Sequence, residues 1–295
     1  MGEPKRNNLI DLIKGLLILL VIIGHFLPGT LSENPARYVI YSFHMPAFFF
    51  MSGMLYSGHT SLKKYGLRLG IPWLAAVQVY YILTNLKTIS WQSYLRAYIT
   101  PYYHLWFVAG FFFCIVAVKL SKENKRVLLC LGIIFAFLSV SLRGNQTLVW
   151  KFIDYTIRPQ YLLFFTMGLL AQNKRVGGVL RRAIIPAILF VLFLPFGFRM
   201  QENWWEPLCR YLLLCLIFYN VDLWKYNVEP SAISMIGTMT YPIYLWHVIG
   251  KIGALYITGR EYNLYFYICS GLFVVLLIAF LRINKNDKIR FIVGK

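Results

Sequence analysis

The sequence predicts an all-α, polytopic integral membrane protein with about ten transmembrane helices. Hydrophobic residues make up 59% of the 295 residues and charged residues only 14%, whereas an ordinary soluble domain is about one quarter charged. Apolar runs recur along the whole chain between short basic loops, so lipid must cover much of this apolar surface. No linker, composition shift or clear internal repeat divides the sequence. We therefore expect a single membrane-embedded domain over residues 1–295.

A membrane-spanning helix needs about 20 apolar residues, with a range of about 17–25. The first candidate span contains Asp11 and Lys14 and is followed by no A-x-A cleavage site, so we interpret it as an uncleaved helix and not as a signal peptide. The sixth and eighth candidates are short. The ten candidates are Leu9–Leu27, Tyr38–Tyr56, Leu69–Leu86, Tyr103–Leu120, Val127–Leu142, Pro159–Ala171, Ala183–Phe198, Pro207–Val221, Ile233–Ile257 and Leu264–Ile283.

The distribution of lysine and arginine predicts the orientation of these spans. If the N-terminus is cytoplasmic, twenty of the 30 Lys and Arg residues fall on the cytoplasmic side and ten fall on the outer side. This two-to-one bias follows the positive-inside rule. With an even number of spans, we predict a multi-pass protein of the cell membrane whose two termini are both cytoplasmic.

Nucleic acid and metal ions are not predicted as partners. The formal net charge of +19 is spread over membrane loops, whereas a nucleic-acid-binding surface gathers its basic residues on one face. The cysteines have no metal-ligand spacing, and their odd number excludes a complete disulfide framework. We interpret them as apolar packing residues and expect no metal site. They are Cys114, Cys130, Cys209, Cys215 and Cys269.

Four of the five histidines fall in predicted spans. His25 ends the outward-going first span, and His44 and His104 lie near the outer starts of the second and fourth. His247 lies fourteen residues into the ninth span, about 21 Å from its cytoplasmic end. Under this topology all four share the outer half of the bilayer. An ionisable residue at that depth predicts a functional site, and the alternative is a hydrogen bond that holds two helices together.

Lys14 and His25 share one stripe of the first span. Their separation of eleven residues is close to three full helical turns, or about 16 Å along the axis, and Asp11 lies on the same stripe. A cation near the cytoplasm can hold phosphate, and a neutral imidazole deep in the bundle can remove a proton from a hydroxyl. An acyl-coenzyme A fits such a face because its phosphates and its thioester lie at opposite ends. The alternative for Lys14 is snorkelling to the interface.

Six segments of the chain resemble, in order, the motifs of one family. They are "RNNLIDLIKGLLILLVIIGHF", "FHMPAFFFMSGMLY", "LRLGIPWL", "YHLWFV", "YLLFFTMGLL" and "TYPIYLWH". The first has a basic residue, ten intervening residues and then histidine, and the last ends on a late histidine. The chain resembles the membrane-bound acyltransferase-3 family over about nine-tenths of its length. The resemblance is closest to the sugar and polysaccharide O-acetyltransferases, the fucose 4-O-acetylase-like branch.

The resemblance implies transfer of an acetyl group from cytoplasmic acetyl-CoA to a hydroxyl of an envelope or exported glycan or glycolipid. It implies that His25 is catalytic and that Lys14 helps to bind coenzyme A. The family more often has arginine at this position, and lysine keeps the charge but loses the bidentate fork. Some relatives carry a hydrolase-like domain after the last span, but only "RINKNDKIRFIVGK" follows here. We therefore expect transfer to be completed within the bundle, with a separate partner protein or with a second copy of the chain.

Five further residues are assigned to this site. Arg68 is expected to bind coenzyme A together with Lys14, and its alternative role is a positive-inside anchor. His44 orients His25 or binds the acceptor. His104, Trp106 and His247 are expected to line the acceptor cavity, because aromatic faces suit sugar rings; for Trp106 the alternative is the interfacial aromatic belt. Whether His25 acts as a general base or forms an acyl-histidine is left open.

Two other functions compete with this hypothesis. A transporter or glycan-lipid flippase also needs intramembrane ionisable residues, but no repeated halves are visible and Asp11 is the one acidic residue placed near a span interior. A non-catalytic membrane component that binds a glycan or a partner subunit is the second alternative. Neither alternative explains consumption of acetyl-CoA.

Overall fold

The computed structural model describes residues 7–85, 88–145, 147–172, 180–221, 223 and 226–295, and these residues form helices with no β-strand among them. Two compact units divide the chain, one made of Met1–Tyr56 and Phe164–Thr240 and the other of Ser57–Leu163 and Tyr241–Lys295. The prediction of one domain over 1–295 stays a prediction.

The helices follow the predicted spans in outline. A π-helix (Ile153–Ile157) and a 3-10 helix (Pro159–Tyr161) precede the α-helix that begins at Leu162. The α-helices are α1 (Asn8–Phe26), α2 (Pro35–Met54), α3 (Leu62–Asn85), α4 (Trp91–Ile99), α5 (Trp106–Leu120), α6 (Lys125–Ser141), α7 (Leu148–Phe152), α8 (Leu162–Ala171), α9 (Leu180–Arg199), α10 (Trp205–Tyr219), α11 (Ala232–Thr238), α12 (Thr240–Thr258), α13 (Leu264–Ile283) and α14 (Asp287–Val293).

In the first unit, α1 packs closely against α11. The Asn7 side chain caps α1 by accepting hydrogen bonds from the backbone N–H groups of Leu9 and Ile10. A Cβ atom at Gly15 would overlap the carbonyl oxygen of Ile233, and one at Gly237 would overlap the carbonyl oxygen of Asp11. Small residues let helix backbones approach at this distance. The contact fixes the N-terminal half of α1, the helix that carries Lys14 and His25.

A buried polar network joins α2 and α10 in the same unit. Tyr38 donates a hydrogen bond of 2.6 Å to Oε1 of Glu206, and Nε of Arg210 lies 3.0 Å from the same oxygen. Glu206 is only 2% exposed. Glu206 is thus a second buried acidic residue, in the first turn of α10 with Arg210 as its counter-charge; that Asp11 is the one acidic residue near a span interior stays a prediction.

In the second unit, tyrosine hydroxyls tie α3 to α12. Tyr80 donates to the carbonyl oxygen of Leu245 at 3.1 Å, and Tyr241 donates to that of Leu69 at 2.7 Å. Each bond satisfies a polar group that would otherwise be buried without a partner. These bonds hold α12, which carries His247, along α3.

The predicted ninth span, Ile233–Ile257, is wrong as one continuous helix. The chain forms α11 and α12 with a break at Met239. Pro242 lacks the N–H that would bond to the carbonyl of Thr238, and its ring would clash with that carbonyl. His247 therefore lies on the second turn of a new helix, and the 21 Å measured along one long helix does not apply.

Among the described residues, four helices are long and apolar enough to cross a membrane: α1, α3, the Arg182–Arg199 part of α9, and α13. Two further apolar segments, α5 and Pro159–Ala171, are shorter. The prediction of an all-α protein with membrane-spanning helices is confirmed, and the count of about ten stays a prediction. The helices α4, α7 and α14 lie outside the predicted spans.

Candidate active site

His25 and His44 both contact the ring of Tyr41 in the first unit. The His25 and Tyr41 ring centroids are 6.1 Å apart, and those of Tyr41 and His44 are 4.9 Å apart; both pairs have edge-to-face geometry. His25 lies in the last turn of α1 and is half-buried, whereas His44 is buried in α2. Edge-to-face packing restrains ring orientation. Tyr41 therefore connects two of the predicted site histidines.

A backbone hydrogen bond sets the tautomer of His44. Its Nδ1 lies 2.7 Å from the carbonyl oxygen of Ile40, one turn earlier in α2. A carbonyl oxygen only accepts, so Nδ1 carries the proton and Nε2 of the neutral ring is the acceptor. Pro46 leaves the Ser42 carbonyl without its helical donor, and the Ser42 hydroxyl donates back to Tyr38 at 2.7 Å. This part of α2 is thus held by side chains as well as by the helix.

The turn after His25 positions Tyr41 from the other side. Arg37 donates to the carbonyl oxygens of Leu27 and Gly29, and its guanidinium carbon lies 5.5 Å from the centre of the Tyr41 ring. In the same turn the backbone N–H of Thr30 donates to Glu33, and hydrogen bonds from Thr30 lower the pKa of the Glu33 carboxyl. Hydrogen bonds from Arg37 and to Glu33 therefore restrain the connection between α1 and α2, next to His25 and Tyr41.

Lys14 forms an ion pair within α1. Its Nζ lies 3.2 Å from Oδ1 of Asp11, one turn earlier. The Asp11 side chain is largely buried, and about a quarter of the Lys14 side chain is exposed. Because α1 is unbroken from Asn8 to Phe26, the predicted separation of about 16 Å between Lys14 and His25 applies to it. The charge of Lys14 is therefore shared with Asp11.

His104 and His247 form a buried pair in the second unit. Their ring centroids are 4.6 Å apart, and both side chains are almost fully buried. Nδ1 of His247 donates to the carbonyl oxygens of Ile243 at 3.0 Å and Tyr244 at 2.9 Å. The Tyr244 ring meets His104 edge-to-face at 4.7 Å. That all four histidines line one cavity stays a prediction.

Trp106 is enclosed by an aromatic ring and a cation. Its ring stacks on Tyr161 at a centroid distance of 5.3 Å, and the guanidinium carbon of Arg158 lies 4.0 Å from the ring centre. Trp106 is only 7% exposed, which makes an interfacial belt position a poor description of it. That Trp106 contacts a sugar ring stays a prediction.

Arg68 lines a basic cavity of about 540 Å³ between the start of α3 and the C-terminal segment. Burial, together with the charge of Arg290, lowers the pKa of Lys295 in this cavity. Four cationic side chains on one cavity can bind a polyanion such as a group of phosphates. The lining residues are Ser61, Lys63, Lys64, Leu67, Arg68, Phe291, Gly294 and Lys295.

Sequence reasoning did not find three residues beside these side chains. Tyr41 carries no motif signal beyond its place in the second span. Arg158 and Lys295 are separated by many residues from the groups they join, so only folding brings them together. The signal for Arg158 was weak: a basic residue before proline, in a segment interpreted as a loop.

Proteins of similar sequence indicate the family of this chain. The nodulation protein NolL of Sinorhizobium fredii (strain NBRC 101917 / NGR234) is 28% identical over 251 residues, covering 77% of this chain and 61% of NolL. The chain thus spans about three-fifths of the length of that relative. No solved structure matches this chain. The profile of the acyltransferase domain family matches residues 7–283, which include all the side chains described above except Lys295, Arg290, Phe291 and Gly294. The chain therefore belongs to the acyltransferase-3 family.

Proposed function

We propose that this chain is an integral membrane O-acyltransferase that moves an acetyl group from cytoplasmic acetyl-coenzyme A to a hydroxyl of an envelope or exported glycan. Family membership supports the class of reaction. The observation that carries the proposal is the arrangement of α1: His25 ends an unbroken helix beside Tyr41 and His44, with Lys14 three turns below it.

His25 is the proposed general base. Its neutral imidazole takes the proton of the acceptor hydroxyl while the hydroxyl oxygen attacks the carbonyl carbon of the thioester. The carbon–sulfur bond breaks, and the imidazolium returns the proton to the departing coenzyme A thiolate. The products are the acetyl ester and free coenzyme A, so atoms and charge balance. A route through an acetyl group on the His25 nitrogen gives the same products in two steps.

His44 supports this step in the proposal. Its Nε2 is the acceptor atom of the neutral ring, because Nδ1 is bonded to the Ile40 carbonyl. It can therefore accept a hydrogen bond from a hydroxyl of the acceptor. Through Tyr41, which touches both rings, it also restrains the orientation of His25. The two roles are compatible, because one uses a nitrogen atom and the other uses the ring edge.

The proposal has two candidate sites for the phosphate groups of the donor, one in each unit. Each candidate is argued from the residues of its own unit. In the first unit the candidate is Lys14, whose pairing with Asp11 reduces the charge it presents. In the second unit the candidate is the cavity beside Arg68. Lysines and arginines bind phosphate as charges and as hydrogen-bond donors. The cavity supplies four of them: Lys63, Lys64, Arg68 and Lys295.

The acceptor is assigned to the aromatic cluster of the second unit. His104 and His247 supply polar ring atoms, and Trp106 with its neighbours supplies ring faces. Aromatic surfaces bind the apolar faces of sugar rings, while a few polar groups set their orientation. Phe107 extends the cluster, with its ring centroid 5.3 Å from that of Tyr244.

The test is consumption of acetyl-CoA by the purified protein. The protein in nanodiscs is incubated with acetyl-CoA labelled in the acetyl group and with glycan extracted from a strain that lacks this gene. We expect free coenzyme A to be released and the label to be found as an ester on the glycan by mass spectrometry. A transporter, a glycan-lipid flippase or a binding subunit would leave acetyl-CoA intact. The His25→Ala protein is the matched control.

A further inference from the structure

Arg158 has a backbone conformation that is unusual for its residue type. Its φ and ψ angles are 49° and 60°, in the left-handed region that non-glycine residues rarely adopt. It directly follows the five-residue π-helix Ile153–Ile157 and precedes Pro159. Single π-helical turns and left-handed residues are both enriched at functional sites. This pair of features turns the chain at Arg158, and its guanidinium lies over the ring of Trp106.

The guanidinium of Arg158 forms no ion pair at contact distance with any described residue. Its Nε is buried without a hydrogen bond, and none of the ion pairs among described residues includes it. Asp154 feels its charge, but burial dominates there and raises the pKa of the Asp154 carboxyl. The cation–π contact with the face of Trp106 offsets only part of the cost of burying the Arg158 charge. A half-buried charge of this kind is ordinarily paired.

The Tyr244 hydroxyl is a second buried polar group; it lies near the backbone of Phe107 but makes no hydrogen bond of full geometry among the described residues. Tyr244 is 3% exposed, and its neighbour Phe107 meets the ring of Trp106 at a centroid distance of 6.4 Å. Its ring contacts both His104 and Phe107. A cationic donor and a hydroxyl donor thus border the same aromatic cluster. Both lie in the second unit.

We propose that Arg158, with the Tyr244 hydroxyl, binds an anionic oxygen group, a carboxylate or a phosphate, on the molecule held by the aromatic cluster. The planar guanidinium matches two oxygens of such a group, and stacking on Trp106 holds the fork in place before the ligand arrives. The inference rests on the proposed function in one respect, namely that the molecule is the acyl acceptor. The acceptor is then an acidic or phosphate-bearing glycan, and a neutral sugar is a poor ligand.

Binding is measured without any acyl donor, so the result does not depend on the acyltransfer proposal. Purified full-length protein is titrated by calorimetry with methyl glucoside, methyl glucuronide and the 6-phosphate of methyl glucoside. We expect the wild type to bind one or both anionic probes about 10- to 100-fold more tightly than the neutral probe, the range of a charge-assisted hydrogen bond. Preference for the glucuronide indicates a carboxylate, and preference for the phosphate indicates a phosphate group.

Variants of Arg158 and Tyr244 test whether these two residues cause the preference for anionic probes. Arg158→Gln should abolish it, Arg158→Lys should retain part of it, and Tyr244→Phe should reduce it by a smaller factor. Arg96→Gln is the matched control, because Arg96 is an exposed arginine of the same unit, and the preference should be unchanged. Equal binding of neutral and anionic probes by the wild type would overturn the proposal, whether or not the variants fold. A preference that survives in folded Arg158→Gln would overturn it as well.

Discussion

Replacing Gly24 with alanine should displace the Tyr41 ring that lies beside His25. The new Cβ would lie 2.8 Å from Cε2 of Tyr41 and 3.3 Å from Cγ2 of Ile40. Non-bonded carbons prefer a separation of about 3.5–4.0 Å, so the ring must retreat by roughly 1 Å. A misplacement of about 1 Å can cost 10²-fold in rate, and overpacking typically destabilises a protein by about 1–3 kcal/mol.

The assay is steady-state consumption of acetyl-CoA by the purified variant, with thermal unfolding measured alongside. We expect kcat to fall about 10- to 100-fold while KM for acetyl-CoA changes little, because the change lies near the reacting end of the helix. The double variant Gly24→Ala/Tyr41→Leu removes the overlapping ring. It should regain stability but not turnover, because the Tyr41 ring then no longer packs against His25.

Gly253→Ala is the matched control for this experiment. Gly253 is also helical, in α12, and a Cβ there would meet no heavy atom within 4 Å. Alanine at an open helical position should stabilise by up to about 1 kcal/mol. A folded Gly24→Ala protein with wild-type kcat would refute the reasoning. A comparable loss of kcat in Gly253→Ala would show that any added methyl group harms this protein.

The remaining predictions concern both ends of α1 and the orientation of the chain. His25→Ala should lower kcat by about 10²–10⁴-fold with donor binding largely kept, and substantial residual turnover would exclude the general-base role. Lys14→Ala should mainly raise KM for acetyl-CoA and Lys14→Arg should retain activity; equal donor affinity in calorimetry would reduce Lys14 to the partner of Asp11. Gly237→Ala should destabilise the protein by several kcal/mol, because its Cβ would overlap backbone, and unchanged thermal unfolding would contradict the packing of α1 on α11. A reporter fused after Lys295 should lie in the cytoplasm, and an external reporter would mean an odd number of spans.

The sequence predicted much of the helical framework because hydropathy is a local property. The predicted tenth span coincides with α13, Leu264–Ile283, and the first differs from α1 by one residue at each end. The prediction of the ninth span as one helix was wrong because the long apolar run was given more weight than the proline inside it. Pro242 marked the break, but the apolar run continues on both sides of it, and hydropathy does not distinguish one helix from two.

The candidate site divides in the same way. The stripe shared by Lys14 and His25 depends only on helix geometry over eleven residues, and α1 is unbroken across it. The ring of Tyr41 between two histidines and the guanidinium of Arg158 over Trp106 depend on contacts between separate elements. The periodicity of hydrophobic residues along the sequence does not predict contacts between separate elements.

By itself the sequence determined the class of the protein, its family resemblance and the histidines worth testing. Those conclusions follow from composition, helical spacing and the order of motifs, which are all written along the chain. Only the tertiary structure decided that Glu206 is buried against Tyr38 and that Lys295 joins the cavity beside Arg68. The physical reason is that such partners are chosen by how helices cross and how closely glycine lets them approach. That geometry arises only when the whole set of side chains packs together.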